Sequence, residues 1–187
     1  MCTYIAATVP SDANIAAVAA LAEAHGLGWE GFPNKHLLAQ VGPGSSWFLT
    51  TRKHCDCDTA LGAAASHAPT RRHDRESEVP RLRKRGWSEQ KIARWLADKS
   101  DAEARREQAR LSRADASTSE VDSWLCFLDA ALRSRATRSI GILLHFYSGL
   151  ITSEPIAIKR RDSTRLADVT VRQLCEMEAD VLYNFNS

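Results

Sequence analysis

Apolar residues are concentrated in the first and last thirds of the chain, and their spacing changes from one segment to the next. Residues 2–9 form an apolar run that stops at Pro10, which predicts a strand. In residues 11–26, apolar positions recur at helical spacing behind Ser11 or Asp12, either of which suits an N-cap. The chain is therefore expected to begin with a strand followed by a helix.

The next stretch, residues 27–52, is broken by glycine and proline and suits extended structure. A turn-like sequence at 42–46 precedes residues 47–51, which are rich in residue types that suit a pleated surface and predict a strand. Two or three strands of a meander are expected here. Residues 53–70 follow no regular pattern and are interpreted as irregular.

The middle of the chain is polar. Residues 71–113 are interpreted as helical and very polar. Residues 98–113 have almost no apolar residue, and a helix that is polar all round must be solvated, bound by a partner or frayed. Residues 114–119 have the composition of a linker, and Ser119 is the expected N-cap of a second amphipathic helix. The apolar face of that helix is formed by Val121, Trp124, Leu125, Leu128 and Leu132.

The most apolar run, residues 139–147, predicts a central strand. Residues 155–159 are predicted to form another strand, and residues 162–184 a closing helix. This order does not repeat a strand–helix–strand unit. The sequence predicts a single α+β domain, residues 1–187, with an antiparallel or mixed sheet of about five strands, helices packed on one side, and a basic helical insertion at about 71–113.

Charge is unevenly distributed along the chain. The net charge is only +2, but residues 71–113 carry 14 Lys and Arg against 8 Asp and Glu, a net of +6. The remainder carries a net of −4. A basic middle in an acidic frame indicates a protein that meets another macromolecule.

The chain has five cysteines, an odd number, and its opening residues lack the basic n-region of a signal peptide. No apolar stretch approaches the ~20 residues needed to cross a bilayer. These features predict a cytoplasmic protein with free thiols and no membrane partner.

The residues His54, Cys55 and Cys57 are candidate metal ligands, because thiolate and imidazole bind zinc and softer ions. His67 and His73 lie at suitable loop distances to complete such a site. The alternative is a capping turn, in which Asp56 or Asp58 accepts bonds from backbone amides before a helix starting near Thr59. No cofactor is predicted as required, and zinc is the candidate if the cluster binds one.

A basic, tryptophan-bearing segment is the candidate partner-binding surface. Basic residues interleaved with tryptophan suit phosphate contacts and base stacking, so nucleic acid is one candidate partner. The alternative is that the tryptophans pack against the protein while the arginines stay solvated. The candidate residues are Arg83, Arg85, Trp87, Arg94 and Trp95.

Catalytic motifs of the nucleophile-elbow, P-loop, dinucleotide-binding and zinc-protease kinds are missing from the sequence, which predicts no catalytic residue and no enzyme activity. Cys2, Cys126 and Cys175 lie in apolar contexts and are interpreted as inert. His145 is interpreted as a hydrogen-bonded core histidine rather than a base. The acids of 176–180 are interpreted as a solvated helix face.

Three parts of the sequence resemble a group of uncharacterised bacterial cytosolic proteins: residues 1–4 (MCTY), 54–62 (HCDCDTALG) and 86–88 (GWS). The overall character is also similar to the immunity proteins of contact-dependent growth inhibition systems, which bind and block a cognate toxin domain. That likeness implies a protein-binding function without catalysis. The alternatives are nucleic-acid binding through the basic segment and metal binding at the cysteines.

Overall fold

The computed structural model describes residues 2–41, 44–52, 54–62 and 75–187, with the side chains of 75–78 and 102–118 left aside. The chain divides into two compact units. The first comprises residues 1–66 and 117–187, and the second comprises residues 67–116. The second unit contains the segment for which the sequence predicts a basic helical insertion.

The first unit is built on a six-stranded mixed sheet with the strand order β2-β3-β1-β4-β6-β5. All neighbouring strands are antiparallel except β5 and β6, which are parallel. The strands are β1 (Cys2–Pro10), β2 (Glu30–Gly31), β3 (Ser45–Leu49), β4 (Ser139–Tyr147), β5 (Arg160–Arg165) and β6 (Val181–Asn186).

The two most apolar segments lie side by side at the centre of this sheet. β1 pairs with β4 from Cys2 opposite Tyr147 to Thr8 opposite Gly141. Both strands are buried over most of their length because both faces of the sheet are covered there. The prediction of a central strand at 139–147 is confirmed.

The main helices of the first unit cover one face of the sheet. They are α1 (Ile15–Ala24), the carboxyl-terminal part of α4 (Glu89–Arg133) and the short α5 (Val171–Cys175). The predicted apolar face of the second amphipathic helix enters this core, together with Phe127, which is fully buried. The α+β class with a mixed sheet and helices on one side is confirmed.

The opposite face is covered by α2 (Lys35–Val41) and by the segment 150–158, which contains a turn at 151–153. Buried Asn34 donates through Nδ2 to the carbonyl oxygens of Ile151 and Glu154, at 3.0 and 3.1 Å. Gln40 accepts from the Ile158 N–H at 2.7 Å. Residues 155–159 do not form the predicted strand, because the Gln40 side chain bonds to the Ile156 carbonyl oxygen and to the Ile158 N–H.

The predicted closing helix over 162–184 is also wrong. The segment contains β5, a 3-10 turn at Leu166–Asp168, α5 and β6. Asp180 adopts a left-handed backbone conformation (φ 65°), which interrupts any helix before residue 181. Residues 181–186 then pair with β4 and β5, so strand pairing prevails over the helical spacing of the apolar residues.

The predicted linker at 114–119 lies inside α4, which runs unbroken from Glu89 to Arg133. The second unit contains α3 (Arg75–Lys84) and the amino-terminal part of α4, joined by a turn in which Gly86 has φ 77°. Within the described part of the chain, no helix combines the length and the apolar character that a membrane span requires.

Candidate metal site of three cysteines

Residues 50–52 and 54–57 lie along the start of β1, beyond the end of its pairing with β3. β1 pairs with β3 only over residues 6–10, so β3 does not extend along residues 2–5. The Thr50 N–H donates to the carbonyl oxygen of Ile5 at 3.0 Å, and the Asp56 N–H donates to that of Thr3 at 2.9 Å. These bonds bring the His-Cys-Asp-Cys block alongside the first residues of the chain.

Asp56 anchors the block to β1. Asp56 is only 5% exposed. Its Oδ2 accepts from the Ile5 N–H at 2.8 Å and from the Thr51 hydroxyl. Burial raises the pKa of the Asp56 carboxyl, although both of these hydrogen bonds counteract the rise. The carboxylate thus stands in for the carbonyl that a neighbouring strand would offer to Ile5.

The residues after the block close a tight helical turn, in which residues 60–62 are helical. The Thr59 hydroxyl donates to the Asp56 carbonyl oxygen at 2.8 Å and accepts from the Gly62 N–H at 3.0 Å. A Cβ at Gly62 would lie 1.9 Å from that carbonyl oxygen, so only glycine fits. The Ala60 N–H donates to Glu120 of α4 at 2.7 Å, which ties the turn to the helix.

Three sulfur atoms meet beside this anchor. The Sγ atoms of Cys2, Cys55 and Cys57 all lie within 4.8 Å of one another, and all three residues are half-buried. The Thr3 N–H donates to the Cys57 Sγ at 3.2 Å. The first strand and the loop therefore each contribute thiols to one cluster.

The environment favours a negative charge on Cys57. Burial raises the pKa of the Cys57 thiol, but the Thr3 N–H and hydrogen bonds from Cys55 and Cys2 outweigh burial, so the pKa lies below its usual value. For Cys55, the Cys57 backbone N–H lowers the pKa, but the Cys57 side chain and burial raise it more. The pKa of the neighbouring Tyr4 is raised by burial and then by the negative groups of the cluster.

The structure brings together part of the predicted ligand set. Cys55 and Cys57 meet, whereas His54 is exposed and is not a member of the cluster. His67 and His73 lie outside the described residues. Sequence reasoning interpreted Cys2 as inert because its neighbours are apolar, and no local pattern signals that a loop more than fifty residues later folds against it.

Three thiolates form a ligand set for soft and borderline ions. Thiolate sulfur is preferred by Cu(I) and Zn²⁺, and zinc in structural sites takes four ligands in a tetrahedron. An N–H donated to sulfur, as Thr3 does to Cys57, holds the sulfur in place and stabilises its negative charge.

A second polar cluster surrounds His145, which lies opposite Tyr4 in the β1–β4 pairing. His145 Nδ1 lies 2.5 Å from Asp180 Oδ1, and the Lys159 ammonium lies 2.7 Å from the other Asp180 oxygen. Burial raises the pKa of the Asp180 carboxyl, but the bonds from His145 and Lys159 lower it by more. The pKa of Asp180 therefore lies below its usual range. The interpretation of Asp180 as part of a solvated helix face is wrong, because it precedes β6 and points at His145.

The candidate partner-binding residues belong to the second unit. Arg83, Arg85 and Arg94 are exposed, and Arg83 pairs with Glu89 at 2.6 Å. Trp87 and Trp95 are half-buried, and each has a lysine ammonium over its ring, at 4.3 and 4.6 Å from the ring centre. One face of each indole is therefore already occupied by a cation.

No protein-family model matches the chain, and neither a curated protein nor a solved structure matches it.

Proposed function

We propose that this protein binds a thiophilic metal ion, Zn²⁺ in the first place, through the thiolates of Cys2, Cys55 and Cys57. The observation that supports the proposal is the mutual approach of the three Sγ atoms to within 4.8 Å. Two of the cysteines come from one loop and the third from a strand more than fifty positions earlier, so the cluster is a product of the fold rather than of sequence proximity.

The charge of the surroundings favours a divalent ion over Cu(I). Three thiolates around Zn²⁺ leave a net charge of −1, whereas the same ligands around Cu(I) leave −2. Asp56 is buried beside the cluster. The pKa of Tyr4 is raised by burial and then by the negative groups of the cluster. Because further negative charge is unfavourable at such a place, the more highly charged cation fits better.

The role that suits such an ion is structural. It would join the first residue of β1 to the loop that covers the open edge of that strand, adding to the bonds made by Asp56. Metal binding of this kind adds directly to the free energy of unfolding, because the ligands are dispersed in the unfolded chain.

The test is a zinc competition titration against a chromophoric chelator. The parent protein carries Cys126→Ser and Cys175→Ser, which removes the two cysteines outside the cluster. We expect about one zinc per chain, and a loss of affinity of at least about tenfold in Cys55→Ser and in Cys57→Ser. Zinc should also raise the Tm of the parent and leave that of Cys57→Ser unchanged.

The proposal is overturned if the reduced parent binds no zinc, or if Cys57→Ser binds it as tightly as the parent. Circular dichroism shows whether each variant folds. Cys55→Ser is the variant to interpret if Cys57→Ser does not fold, because Cys57 is the cysteine whose sulfur accepts from the Thr3 N–H of β1.

A further inference from the structure

We infer that the same cluster is a site of reversible oxidation, in which a hydroperoxide joins Cys57 to Cys2 in a disulfide and thereby dismantles the metal site. The inference rests on the proposed function for its consequence, the loss of metal. The disulfide itself rests on the geometry of the three sulfurs.

The backbone pairing selects Cys2 as the partner of Cys57. Thr3 bonds to the loop through both of its backbone groups. Its carbonyl oxygen accepts from the Asp56 N–H, and its own N–H donates to the Cys57 Sγ. The bond from the Thr3 N–H thus holds the Cys57 sulfur beside the residue that adjoins Cys2, and the sulfurs of Cys2 and Cys57 lie within 4.8 Å of each other.

A disulfide between Cys55 and Cys57 is disfavoured by Asp56. The residue between the two cysteines is held by the bonds of its N–H, its carbonyl oxygen and its carboxylate. Closing a small ring through Asp56 would displace groups that are buried. Cys2 can instead reach Cys57 by side-chain rotation, because their sulfurs are already within 4.8 Å.

The chemistry proceeds in two balanced steps. The Cys57 sulfur attacks the peroxide, so that an S–O bond forms, the O–O bond breaks and the thiol proton leaves with the alcohol or water produced. The Cys2 sulfur then attacks the Cys57 sulfenic acid, forming the S–S bond and breaking the S–O bond, and the second thiol proton leaves in water. Two thiols lose two electrons, and the hydroperoxide gains them.

The consequence for the metal is direct. Oxidation removes two of the three thiolates, and Cys55 alone cannot hold zinc. A bound ion in turn occupies the sulfur lone pairs that attack the peroxide. We therefore expect zinc to slow the oxidation and oxidation to abolish zinc binding.

The experiment treats the reduced, metal-free Cys126→Ser, Cys175→Ser parent with hydrogen peroxide. We expect two of its three thiols to disappear, zinc affinity to fall by at least about tenfold, and dithiothreitol to restore both. Mass spectrometry of a non-reduced tryptic digest locates the bond. Cys55 and Cys57 share the peptide 54–71, so the variants Cys55→Ser and Cys57→Ser assign the linkage. The first should retain the cross-link to the peptide containing Cys2, and the second should lose it.

For a reduced protein that binds zinc, the inference is overturned if peroxide yields no intrachain disulfide. It is also overturned if the bond joins Cys55 to Cys57 or to Cys2. A reduced protein that binds no zinc contradicts the proposed function instead, and it also removes the metal-release part of this inference. The cross-link to Cys2 is scored separately from zinc binding, so the two failures are distinguishable.

Discussion

The carboxylate of Asp56 is buried because it replaces a missing strand partner. β3 stops pairing with β1 at Ala6, and the next backbone N–H on that side, that of Ile5, donates to Asp56 instead. The same oxygen accepts from the Thr51 hydroxyl. Removing it would leave a buried donor without an acceptor, which is more harmful than the loss of an average hydrogen bond.

We predict that Asp56→Ala lowers the free energy of unfolding by about 1–3 kcal/mol, because the Ile5 N–H loses its acceptor in a buried place. Urea unfolding monitored by circular dichroism provides the measurement. Asp58→Ala is the matched control, since Asp58 is two positions away and exposed. Equal losses in the two variants would contradict the anchoring role of Asp56.

The contact between His145 and Asp180 leads to a prediction about how stability depends on pH. The folded-state pKa of Asp180 is depressed, so its contribution to stability is present above the unfolded-state pKa and is lost as the pH falls through the folded-state value. Asp180→Asn should lower stability at neutral pH by on the order of 1–3 kcal/mol. Asparagine tolerates the left-handed backbone that residue 180 adopts.

The stability difference between wild type and Asp180→Asn should shrink as the pH falls from about 4, because the unfolded wild-type chain is protonated first and the folded carboxylate only at a lower pH. Urea titrations at several pH values measure this, with Asp122→Asn, an exposed position on α4, as the control. A difference that is independent of pH would show that the charge of Asp180 is not the source of the stabilisation.

At the scale of elements, residues 162–184 form a short helix and two strands where the sequence predicts one helix, because a local cap and strand pairing set the boundaries. Residues 162–184 carry apolar residues at helical spacing, but only Val171–Cys175 is an α-helix. Thr170 starts this helix with a capping box: its hydroxyl accepts from the Gln173 N–H, and Gln173 accepts from the Thr170 N–H at 2.8 Å. The cap fixes the helix start in the middle of the predicted helix.

We predict that Thr170→Ala destabilises the protein by about 1 kcal/mol, because the cap holds a short helix that buries Leu174 completely. Thermal unfolding measures the loss as a lower Tm. Thr170→Ser keeps the hydroxyl and should retain most of the stability. A Ser variant as unstable as the Ala variant would show that the methyl group, not the cap, is important.

At the scale of the whole molecule, the uneven charge remains the basis of the partner hypotheses. The +6 segment 71–113 falls wholly within the second compact unit, and the −4 remainder falls mostly in the first. Neither protein binding nor nucleic-acid binding is tested by the fold, and both stay predictions.

The nucleic-acid hypothesis predicts binding that weakens steeply with salt. The full chain should bind a polyanion such as single-stranded DNA at low ionic strength, and the triple variant Arg83→Ala, Arg85→Ala, Arg94→Ala should reduce the slope of log affinity against log salt by about 2. Arg133, Arg165 and Arg172, exposed outside the basic segment, supply the control triple variant. Binding that is absent at low salt contradicts the hypothesis.

The immunity hypothesis predicts a protein partner encoded next to this chain. An acidic frame would attract a basic, nucleic-acid-cleaving toxin and cover its substrate site. Co-expression with the neighbouring open reading frame should give co-purification and protection of the cell from that product. A neighbour that neither harms the cell nor co-purifies contradicts the hypothesis.

The sequence by itself determined the elements whose signals are local. The sequence predicts the central strand at 139–147, the opening strand and the apolar face of α4 from apolar runs and apolar periodicity. Burying such residues is favourable wherever they lie in the fold. The same reasoning identified Cys55 and Cys57 as neighbours, because one residue separates them.

Only the tertiary structure decided where distant segments meet. Residues 55–57 reach the start of β1 because β3 does not extend along it, and Asp180 reaches His145 because β6 lies between β4 and β5. Such contacts depend on strand order and on unpaired backbone groups, which short-range patterns do not encode. For that reason the sequence indicated a pair of thiols, and the fold made it a cluster of three.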